Sequence, residues 1–476
     1  MTLRLSVSVA ALLALAAGPA LRAADPLEER IQRIENGLLR ANTLRGAAVE
    51  RMKLPERMSH YKVPGVSVAV IHEGRVEWAR GYGQADVESG KPVSVETVFQ
   101  AASVSKPVAA MTAMRLVEQG KLSLDEDVNA KLRSWKVPEN EFTKTEKVTL
   151  RRLLSHNAGL TVHGFPGYAQ GAPVPTLVQL LDGKPPANTA AVRVDKAPGS
   201  GFRYAGGGYA VMQLLAEDVT GRPFDQLACE LVLEPLGMRH SAYQQPLAEP
   251  LARDAATAYR RDGKPIAGRW HTYPEKTAAG LWTTPTDFAR IILEIQKPGN
   301  ALRPETVKTM LAKSPGDYGL GFALGETERR ASFQHGGANE GFRCQFFAYR
   351  DTGEGAMVMT NGDNGGALAS EILRAIAVEY GWVDYRTRER AVVAVDPAVL
   401  QSYVGDYEFP GGPVVNVLLK DGKFMAGVGG DKVELLAEAP DSFFDLAGNA
   451  PPVKFVKQAD GSVALEAAGG TARRKK

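Results

Sequence analysis

The sequence contains little that would support a metal centre or a framework of disulfides. Its 476 residues include only two cysteines and seven histidines. These residues do not combine with carboxylates at the spacing of metal ligands, so we expect no metal ion and no other cofactor. Cys229 and Cys344 could form a disulfide in an oxidising compartment, but each lies in an apolar stretch of a chain large enough to fold without one. We therefore expect two small buried thiols.

A strong net charge is also missing. The formal charge is +3, and it falls to about +1 if Arg4 and Arg22 belong to a leader that is removed. A protein with so small a net charge does not attract nucleic acid or anionic lipid electrostatically, which excludes the function classes that depend on those partners. The sequence leaves the oligomeric state open.

Hydrophobic runs long enough to cross a membrane are absent, because no stretch reaches the roughly 20 apolar residues that a bilayer requires. One shorter run, from Leu5 to Ala17, follows a basic residue and is broken by Gly18 and Pro19. This pattern is typical of a secretory signal peptide over residues 1–24, with cleavage near residues 20–25 and a periplasmic or secreted mature protein. The alternative is an uncleaved interfacial helix. No cysteine lies near the cleavage region, so we expect no lipid anchor and no stable attachment to a membrane.

The order of predicted elements indicates a large mixed domain over residues 25–392. Alternating valines from Val66 to Val70, followed by a turn, predict an antiparallel hairpin. Helical spacing of apolar residues from Lys106 to Gln119 predicts a helix. Short helices and loops rich in proline and glycine then fill the middle of the segment, and strand patterns return between residues 331 and 360. This order predicts an α+β domain whose sheet is assembled from both ends of the segment.

A smaller domain is predicted over residues 393–476, after a charged linker at 385–395. Short strand patterns recur in this tail, and Asp421-Gly422 is a strong hairpin turn between two of them. The pattern predicts a small all-β, barrel-like domain.

A candidate nucleophile lies where a strand-like segment meets the predicted helix. Ser103 and Lys106 are three positions apart, so they share one face at a helix start. A lysine there could take the proton of the serine hydroxyl, which by itself is a weak nucleophile, and the helix N-terminus adds partial positive charge. Ser59 and Lys62 match the same spacing, but no helix pattern follows them, so we interpret that pair as a chance match.

Two further segments carry residues that suit such a reaction. Tyr204 lies just before another amphipathic helix, and a tyrosine held near a lysine could serve as a phenolate-like base. The alternative is a tyrosine packed in a turn. His335 precedes Gly336 and Gly337 at a strand edge, where a substrate backbone could lie and an N–H could complete an oxyanion hole. Taken alone, that segment is also typical of a simple turn.

Together the three segments resemble the class C β-lactamases and the serine hydrolases related to penicillin-binding proteins. Those enzymes carry Ser-x-x-Lys, then Tyr-x-Asn, then a triplet that contains Lys or His and ends in Gly. The stretches at 153–160, 279–284 and 318–322 are similar to further motifs of the family, and the resemblance covers roughly residues 50–385. It implies an antiparallel sheet flanked by helices, beside a helical subdomain, with the active site between them. The tail from Pro397 resembles a lipocalin-like β-domain.

The resemblance assigns roles by position. It implies that Ser103 is the acylated nucleophile and that Lys106 and Tyr204 transfer protons. The backbone N–H groups of Ser103 and Ala338 would form the oxyanion hole.

The resemblance also implies substrate contacts from His335, Gly336 and Gly337, and from His163 in a loop, although a solvated loop histidine is the alternative for His163. Two positions depart from the β-lactamase pattern. Gly206 stands where those enzymes have Asn, which removes an amide that holds the substrate, and His335 stands where they usually have Lys. A histidine with a pKa of about 6.5 is mostly neutral at pH 7, so it is a poorer anchor for the carboxylate of a β-lactam.

The expected function is therefore an exported serine hydrolase that acts through an acyl-enzyme on a small peptide or ester substrate. Peptides ending in D-amino acids are the first class to test, since both departures argue against efficient penicillin hydrolysis. A class C-like β-lactamase is the enzymatic alternative. The alternative of another class is a non-catalytic, penicillin-recognising sensor or binding module, which would be acylated once and stay acylated.

Overall fold

The computed structural model describes residues 26–327, 330–409, 414–429, 431–448, 450–467 and 470–475. The predicted signal peptide, residues 1–24, lies outside the described residues. Within the described ranges, no helix has the length and apolar character needed to cross a membrane.

The described chain opens with α1 (Pro26–Glu35), β1 (Asn42–Leu44), α2 (Leu54–Tyr61), β2 (Gly65–His72), β3 (Arg75–Asp86), β4 (Lys91–Pro92) and β5 (Phe99–Gln100). The middle comprises α3 (Ser105–Glu118), α4 (Val128–Lys131), α5 (Leu150–Leu154), α6 (Leu177–Asp182), α7 (Gly206–Thr220), α8 (Phe224–Ala228), α9 (Leu251–Asp254), α10 (Lys276–Ala279), β6 (Trp282–Thr283), α11 (Pro285–Gln296) and α12 (Pro304–Met310). Strands return in β7 (Ala323–Glu326), β8 (Ala331–Asn339), β9 (Phe342–Tyr349) and β10 (Gly355–Thr360), followed by α13 (Gly365–Glu379) and β11 (Arg388–Arg390).

The tail comprises α14 (Pro397–Tyr403), β12 (Gly405–Glu408), β13 (Val414–Lys420), β14 (Lys423–Val428), β15 (Asp431–Glu434), β16 (Leu436–Ala439), β17 (Ser442–Phe444), β18 (Val453–Lys457), β19 (Val463–Ala467) and β20 (Gly470–Arg474). Its strands form one nine-stranded antiparallel sheet in the order β15-β14-β13-β12-β20-β19-β18-β17-β16. Aromatic rings fill the interior of this barrel-like sheet, and Tyr403 stacks on Phe455 at 4.3 Å between ring centroids. The hairpin predicted at Asp421-Gly422 joins β13 to β14, and both residues have the positive φ that such a turn requires.

The frame of the larger part is a seven-stranded antiparallel sheet in the order β4-β3-β2-β10-β9-β8-β7. Strands from both ends of the segment meet at its centre, where β2 pairs with β10. This arrangement confirms the α+β fold class, with helices on the faces of an antiparallel sheet.

Side chains of β2 alternate between two hydrophobic cores. Val66, Val68 and Val70 pack with the outer helices α1, α2 and α13, whereas Ala69 and Ile71 belong to the core shared with the helical middle. Because both faces of the strand are covered, every residue from Gly65 to Ile71 is buried. The centre of the sheet is thus packed on both faces.

The helical middle packs around α3. Every residue from Ser105 to Met114 is buried, since α7, α8 and α10 contact this helix from several sides. The short turn just before α3, which carries the candidate nucleophile, is therefore held between the helical region and the sheet.

The segment predicted as a linker contains a short strand. β11 pairs in parallel with β1, so that Asn42 lies opposite Arg388. Asn42 also donates from its side chain to the carbonyl oxygen of Asp445 in the tail, at 2.7 Å. Strand β1 therefore contacts both the segment that connects the two parts of the chain and the tail itself.

The two cysteines are free thiols. Cys344 is buried, as predicted, and its Sγ donates to the carbonyl oxygen of Ala101 at 3.0 Å. Cys229 is only half-buried, which corrects the expectation of two buried thiols. It begins a short helical segment, Cys229–Leu233, that is buried through Leu231, Val232 and Leu233, so the thiol remains near the surface.

Candidate active site

The candidate nucleophile Ser103 lies on a tight turn between β5 and α3. A 3₁₀ turn over Ala102–Val104 makes this connection, and Ala102 has a φ of +49°, in the left-handed region that few residues other than glycine adopt. The backbone N–H of Ala101 donates to the carbonyl oxygen of Leu281 at 2.8 Å, which fixes the entry to the turn. Ser103 itself is half-buried, so its hydroxyl can be reached.

Lys106 extends from the first turn of α3 towards Ser103. Its Nζ donates to Ser103 Oγ at 3.0 Å and to the carbonyl oxygen of Ala278 at 2.8 Å. The side chain is 1 % exposed, and this burial lowers the pKa of Lys106 to about 7. Its Nζ also lies over the rings of Tyr204 and Tyr209, 5.0 Å and 5.6 Å from their centroids. A buried amine with such a pKa is partly neutral at pH 7 and can accept a proton there.

Tyr204 reaches the same place from the residues that precede α7. Its side chain forms a hydrogen bond with Ser103, which favours ionisation, but burial has the larger effect and raises the pKa of Tyr204 well above its ordinary value. The hydroxyl therefore carries its proton at neutral pH. Burial thus opposes the phenolate form, and the role of Tyr204 as a base stays a prediction.

The second half of β8 forms the opposite wall of the site. β7 pairs with β8 only as far as Gln334, so among the described strands the stretch from His335 to Asn339 is paired by β9 alone. Gly337 lies so close to the nucleophile turn that a Cβ there would come within 2.3 Å of the Ala101 carbonyl oxygen. Gly336 and Ala338 are exposed. An accessible strand edge thus runs directly beside Ser103.

His335 is a neutral histidine in this structure. Its Nδ1 lies 2.6 Å from the carbonyl oxygen of Gly336, which can only accept, so Nδ1 carries the ring proton. Burial, together with the charge of Lys106, lowers the pKa of His335 to about 3. Its Nε2 is buried and has no partner among the described residues. His335 therefore offers a lone pair in place of the cation that a Lys would supply.

His163 and Gly206 meet beside Tyr204. The exposed ring of His163 lies 4.9 Å from the Tyr204 ring, and its carbonyl oxygen accepts the N–H of Gly206 at 3.1 Å. A Cβ on Gly206 would lie 3.0 Å from that oxygen and 3.0 Å from Cε2 of Phe165. An Asn at Gly206 would therefore be tight against backbone and an aromatic ring, which would have to shift by a few tenths of an ångström.

Ser59, the serine of the second matching pair, lies far from this arrangement. It is an exposed residue of α2, and its hydroxyl donates to the carbonyl oxygen of Pro55 at 3.0 Å. Lys62 follows the helix in a left-handed conformation. The structure therefore brings Ser103, Lys106 and Tyr204 together and leaves Ser59 out.

Three contributors to the site were missed by sequence reasoning. Ala278 supplies the carbonyl that binds Lys106, Asn339 bonds to the Ala279 carbonyl at 3.1 Å, and His156 packs on Tyr204 with 4.1 Å between ring centroids. His156 lies within one of the stretches noted for family resemblance, and Ala278 adjoins another. No pattern in those stretches indicated a partner, because each acts through the tertiary contact that it makes.

The described residues contain no group of three or more His, Cys, Asp or Glu side chains arranged to hold a metal ion. The side chains of the site itself supply a hydroxyl, an amine whose pKa lies near 7 and a protonated phenol.

Comparison with known proteins agrees with this geometry. Residues 49–380 match the family model described as "Beta-lactamase". The chain belongs to the β-lactamase family. This is a family of serine hydrolases, and the matched segment contains every side chain of the candidate site.

Several members of the family are similar to this chain at low identity. "Esterase EstB" of Burkholderia gladioli is 31% identical over 201 residues, which cover 40% of this chain and 49% of that protein. A "D-aminopeptidase" of Brucella anthropi is 26% identical over 353 residues, 69% of this chain and 65% of that protein. For the first of these curated relatives, the chain thus spans about half of the relative's own length.

The solved structure of an octameric penicillin-binding protein homologue from Pyrococcus abyssi resembles the whole fold. Its TM-score is 0.62 at 23% identity, and the alignment covers 88% of this chain and 98% of that one. At this identity the likeness supports the fold alone.

Proposed function

We propose that this member of the β-lactamase family hydrolyses ester or peptide bonds through an acyl-enzyme on Ser103. The observation that carries the proposal is the hydrogen bond of 3.0 Å between Lys106 Nζ and Ser103 Oγ, made by an amine whose pKa is lowered to about 7. A serine hydroxyl becomes an effective nucleophile when a neighbouring base takes its proton as it attacks.

The proposed reaction has two halves. Ser103 Oγ attacks the substrate carbonyl carbon while its proton passes to neutral Lys106, and the tetrahedral intermediate then collapses with release of the alcohol or amine. The protonated Tyr204 hydroxyl, next to Ser103, is the donor to that leaving group and recovers its proton from Lys106. In the second half, water attacks the acyl-enzyme, and the proton transfers through Tyr204 and Lys106 run in reverse. This step releases the acid and restores Ser103.

The developing oxyanion would be bound by the backbone N–H groups of Ser103 and Ala338. The close approach of Gly337 to the nucleophile turn supports this role, because it brings the exposed edge of β8 beside Ser103. Gly336 and Gly337 would let an extended acyl group lie along that edge, and His163 would border the leaving-group side. Fixed N–H donors aimed at developing charge are typically the largest source of acceleration in acyl transfer.

The proposed substrates are compact esters and short peptides, including peptides that end in D-amino acids. Two features disfavour β-lactams, which carry a carboxylate and an acyl amide. His335 is neutral, so it supplies no cation for the carboxylate. A Cβ at Gly206 would lie 3.0 Å from both the His163 carbonyl oxygen and the Phe165 ring, so the structure disfavours a side-chain amide there. The names of the esterase and the D-aminopeptidase among the relatives support the same classes.

We also propose that the protein is exported to the periplasm or secreted. The basic start, the apolar run from Leu5 to Ala17 and the small residues at 23–24 support this proposal.

One experiment separates the proposed function from its rivals. The protein would be treated with a fluorophosphonate label and then assayed on p-nitrophenyl esters, D-amino-acid amides and nitrocefin. We expect labelling at Ser103 and turnover of esters or amides. Preferred turnover of nitrocefin would favour a β-lactamase, and a single acylation by penicillin without turnover would favour a sensor or binding module.

A further inference from the structure

His156 has no assigned role, yet it makes three separate contacts with the residues around Tyr204. Its carbonyl oxygen accepts the N–H of Arg203 at 2.8 Å, and its ring Nδ1 accepts the N–H of Ala205 at 3.1 Å. Its ring lies 4.1 Å from the Tyr204 ring, with 31° between the planes. The residues on both sides of Tyr204 therefore donate to His156, while the tyrosine ring lies against the face of the imidazole.

The backbone around His156 is built to hold this orientation. His156 is 2 % exposed and has a φ of +57°, a conformation that is uncommon outside glycine. The next residue, Asn157, secures the turn: its N–H donates to the Arg152 carbonyl oxygen, and its side chain donates to that of Ser155, both at 2.8 Å. A strained conformation that persists because its surroundings enforce it is a reason to look for a function.

The protonation state of His156 follows from the same contacts. A backbone N–H can only donate, so Nδ1 must be an acceptor and the ring proton lies on Nε2. Burial is the main cause that holds the pKa of His156 well below its ordinary value, and the charge of Lys106 adds to the effect. A neutral ring keeps the acceptor available and places no second cation beside Lys106.

We propose that His156 is the positioning residue for Tyr204, holding the phenol at Ser103 through the Ala205 N–H and the stacked rings. His156 touches no reacting atom and acts only through Tyr204. The inference rests on the proposed function, in which Tyr204 passes a proton to the leaving group. A misplacement of about 1 Å in such a group can lower a rate by about 100-fold.

Two substitutions separate the acceptor from the ring. His156→Asn keeps a side-chain acceptor near the Nδ1 position and tolerates a positive φ. His156→Phe keeps an aromatic ring but leaves the buried Ala205 N–H without a partner. We expect His156→Phe to lower kcat on a p-nitrophenyl ester by about 10- to 100-fold with KM within about twofold, and His156→Asn to recover most of that loss.

Coupling to Tyr204 gives the decisive measurement. If His156 acts through Tyr204, adding His156→Phe to Tyr204→Phe should lower kcat no further, because the hydroxyl to be positioned is already absent. Independent losses that multiply in the double variant would overturn the inference, as would a change in KM alone or equal impairment by Asn and Phe. If His156→Phe does not fold, His156→Gln takes its place. The side-chain oxygen of Gln lies one bond farther from the backbone than that of Asn, and therefore away from the position of Nδ1.

A control and a label keep the two proposals distinguishable. His72 also has a bonded Nδ1, 2.7 Å from Glu354 Oε1, at the end of β2 away from the site. We expect His72→Phe to lower thermal stability and leave kcat unchanged. If the wild-type protein is not labelled by a fluorophosphonate, both the proposed function and this inference fail. If Ser103 is labelled and kcat is indifferent to His156, the positioning role alone fails.

Discussion

Lys106 Nζ donates a hydrogen bond of 2.8 Å to the carbonyl oxygen of Ala278, which lies 172 positions later in the chain. The same nitrogen lies 3.0 Å from Ser103 Oγ. The carbonyl takes one N–H of the amine, which fixes the direction of Nζ and leaves a lone pair available to the serine when the amine is neutral. This contact joins the helical middle to the nucleophile turn. The proposed proton transfer therefore depends on the position of Nζ as well as on the pKa of Lys106.

Ser103 should be the only one of the two matching serines that reacts. We expect Ser103→Ala to lower turnover by up to about six orders of magnitude and to abolish fluorophosphonate labelling, because the hydroxyl that attacks is removed. Ser59→Ala is the matched control and should leave both nearly intact, since Ser59 is an exposed residue of α2. Labelling measured by mass spectrometry that survives in Ser103→Ala would refute the assignment.

The rate should rise with pH around neutrality. The pKa of Lys106 is lowered to about 7, so the amine is neutral above that pH and becomes protonated as the pH falls through it. A protonated amine cannot take the proton of Ser103, and kcat/KM for a neutral p-nitrophenyl ester should fall about tenfold for each pH unit well below 7.

Stability should follow the same group with a defined sign. The pKa of Lys106 is lower in the folded protein than in the unfolded chain, which therefore binds more protons between about pH 7 and 10.5. The free energy of unfolding should rise with pH across this window, and Lys106→Met should remove that part of the rise along with the activity.

A flat rate profile between pH 5 and 8 in the wild type would count against Lys106 as the base.

Esters should be preferred to β-lactams. A hydrogen bond to a charged group contributes about 1.5–3 kcal/mol, so the missing Lys–carboxylate contact alone predicts about tenfold lower kcat/KM for nitrocefin than for a short p-nitrophenyl ester. Restoring the amide by Gly206→Asn should not raise nitrocefin hydrolysis, because a Cβ there would lie 3.0 Å from both the His163 carbonyl oxygen and the Phe165 ring. Adding Phe165→Ala would remove the ring contact and leave only the contact with the His163 carbonyl oxygen. Nitrocefin hydrolysed as fast as the ester would overturn this preference.

The tail should be dispensable for acylation. Its strands have their own aromatic core. Its hydrogen bond to Asn42 is made with β1, which contributes no residue to the candidate site. A chain ending at Arg390 retains β11 and its pairing with β1. We expect it to unfold cooperatively by circular dichroism and to react with the fluorophosphonate label within about threefold of the full-length rate. Cooperative folding without any labelling would mean that the tail supplies an essential part of the site.

Much of the fold and the residues of the candidate site could be predicted from the sequence, because the signals are local. The alternation of Val66, Val68 and Val70 predicted the strand at the centre of the sheet, and Asp421-Gly422 predicted a hairpin. The linker prediction missed β11, since a strand of three residues has too little pattern of its own and exists only through its pairing with β1.

The sequence by itself determined which groups are available: a serine and a lysine one helical turn apart, a tyrosine before a helix, and glycines at a strand edge. The tertiary structure decided their chemical states. Burial lowers the pKa of Lys106 to about 7, keeps the proton on Tyr204 and leaves His335 neutral. Desolvation depends on neighbours that are distant in the chain, so the spacing of residues in the sequence does not predict it. For the same reason, the partners that the sequence did not reveal, Ala278 and His156, act through contacts that exist only in the folded protein.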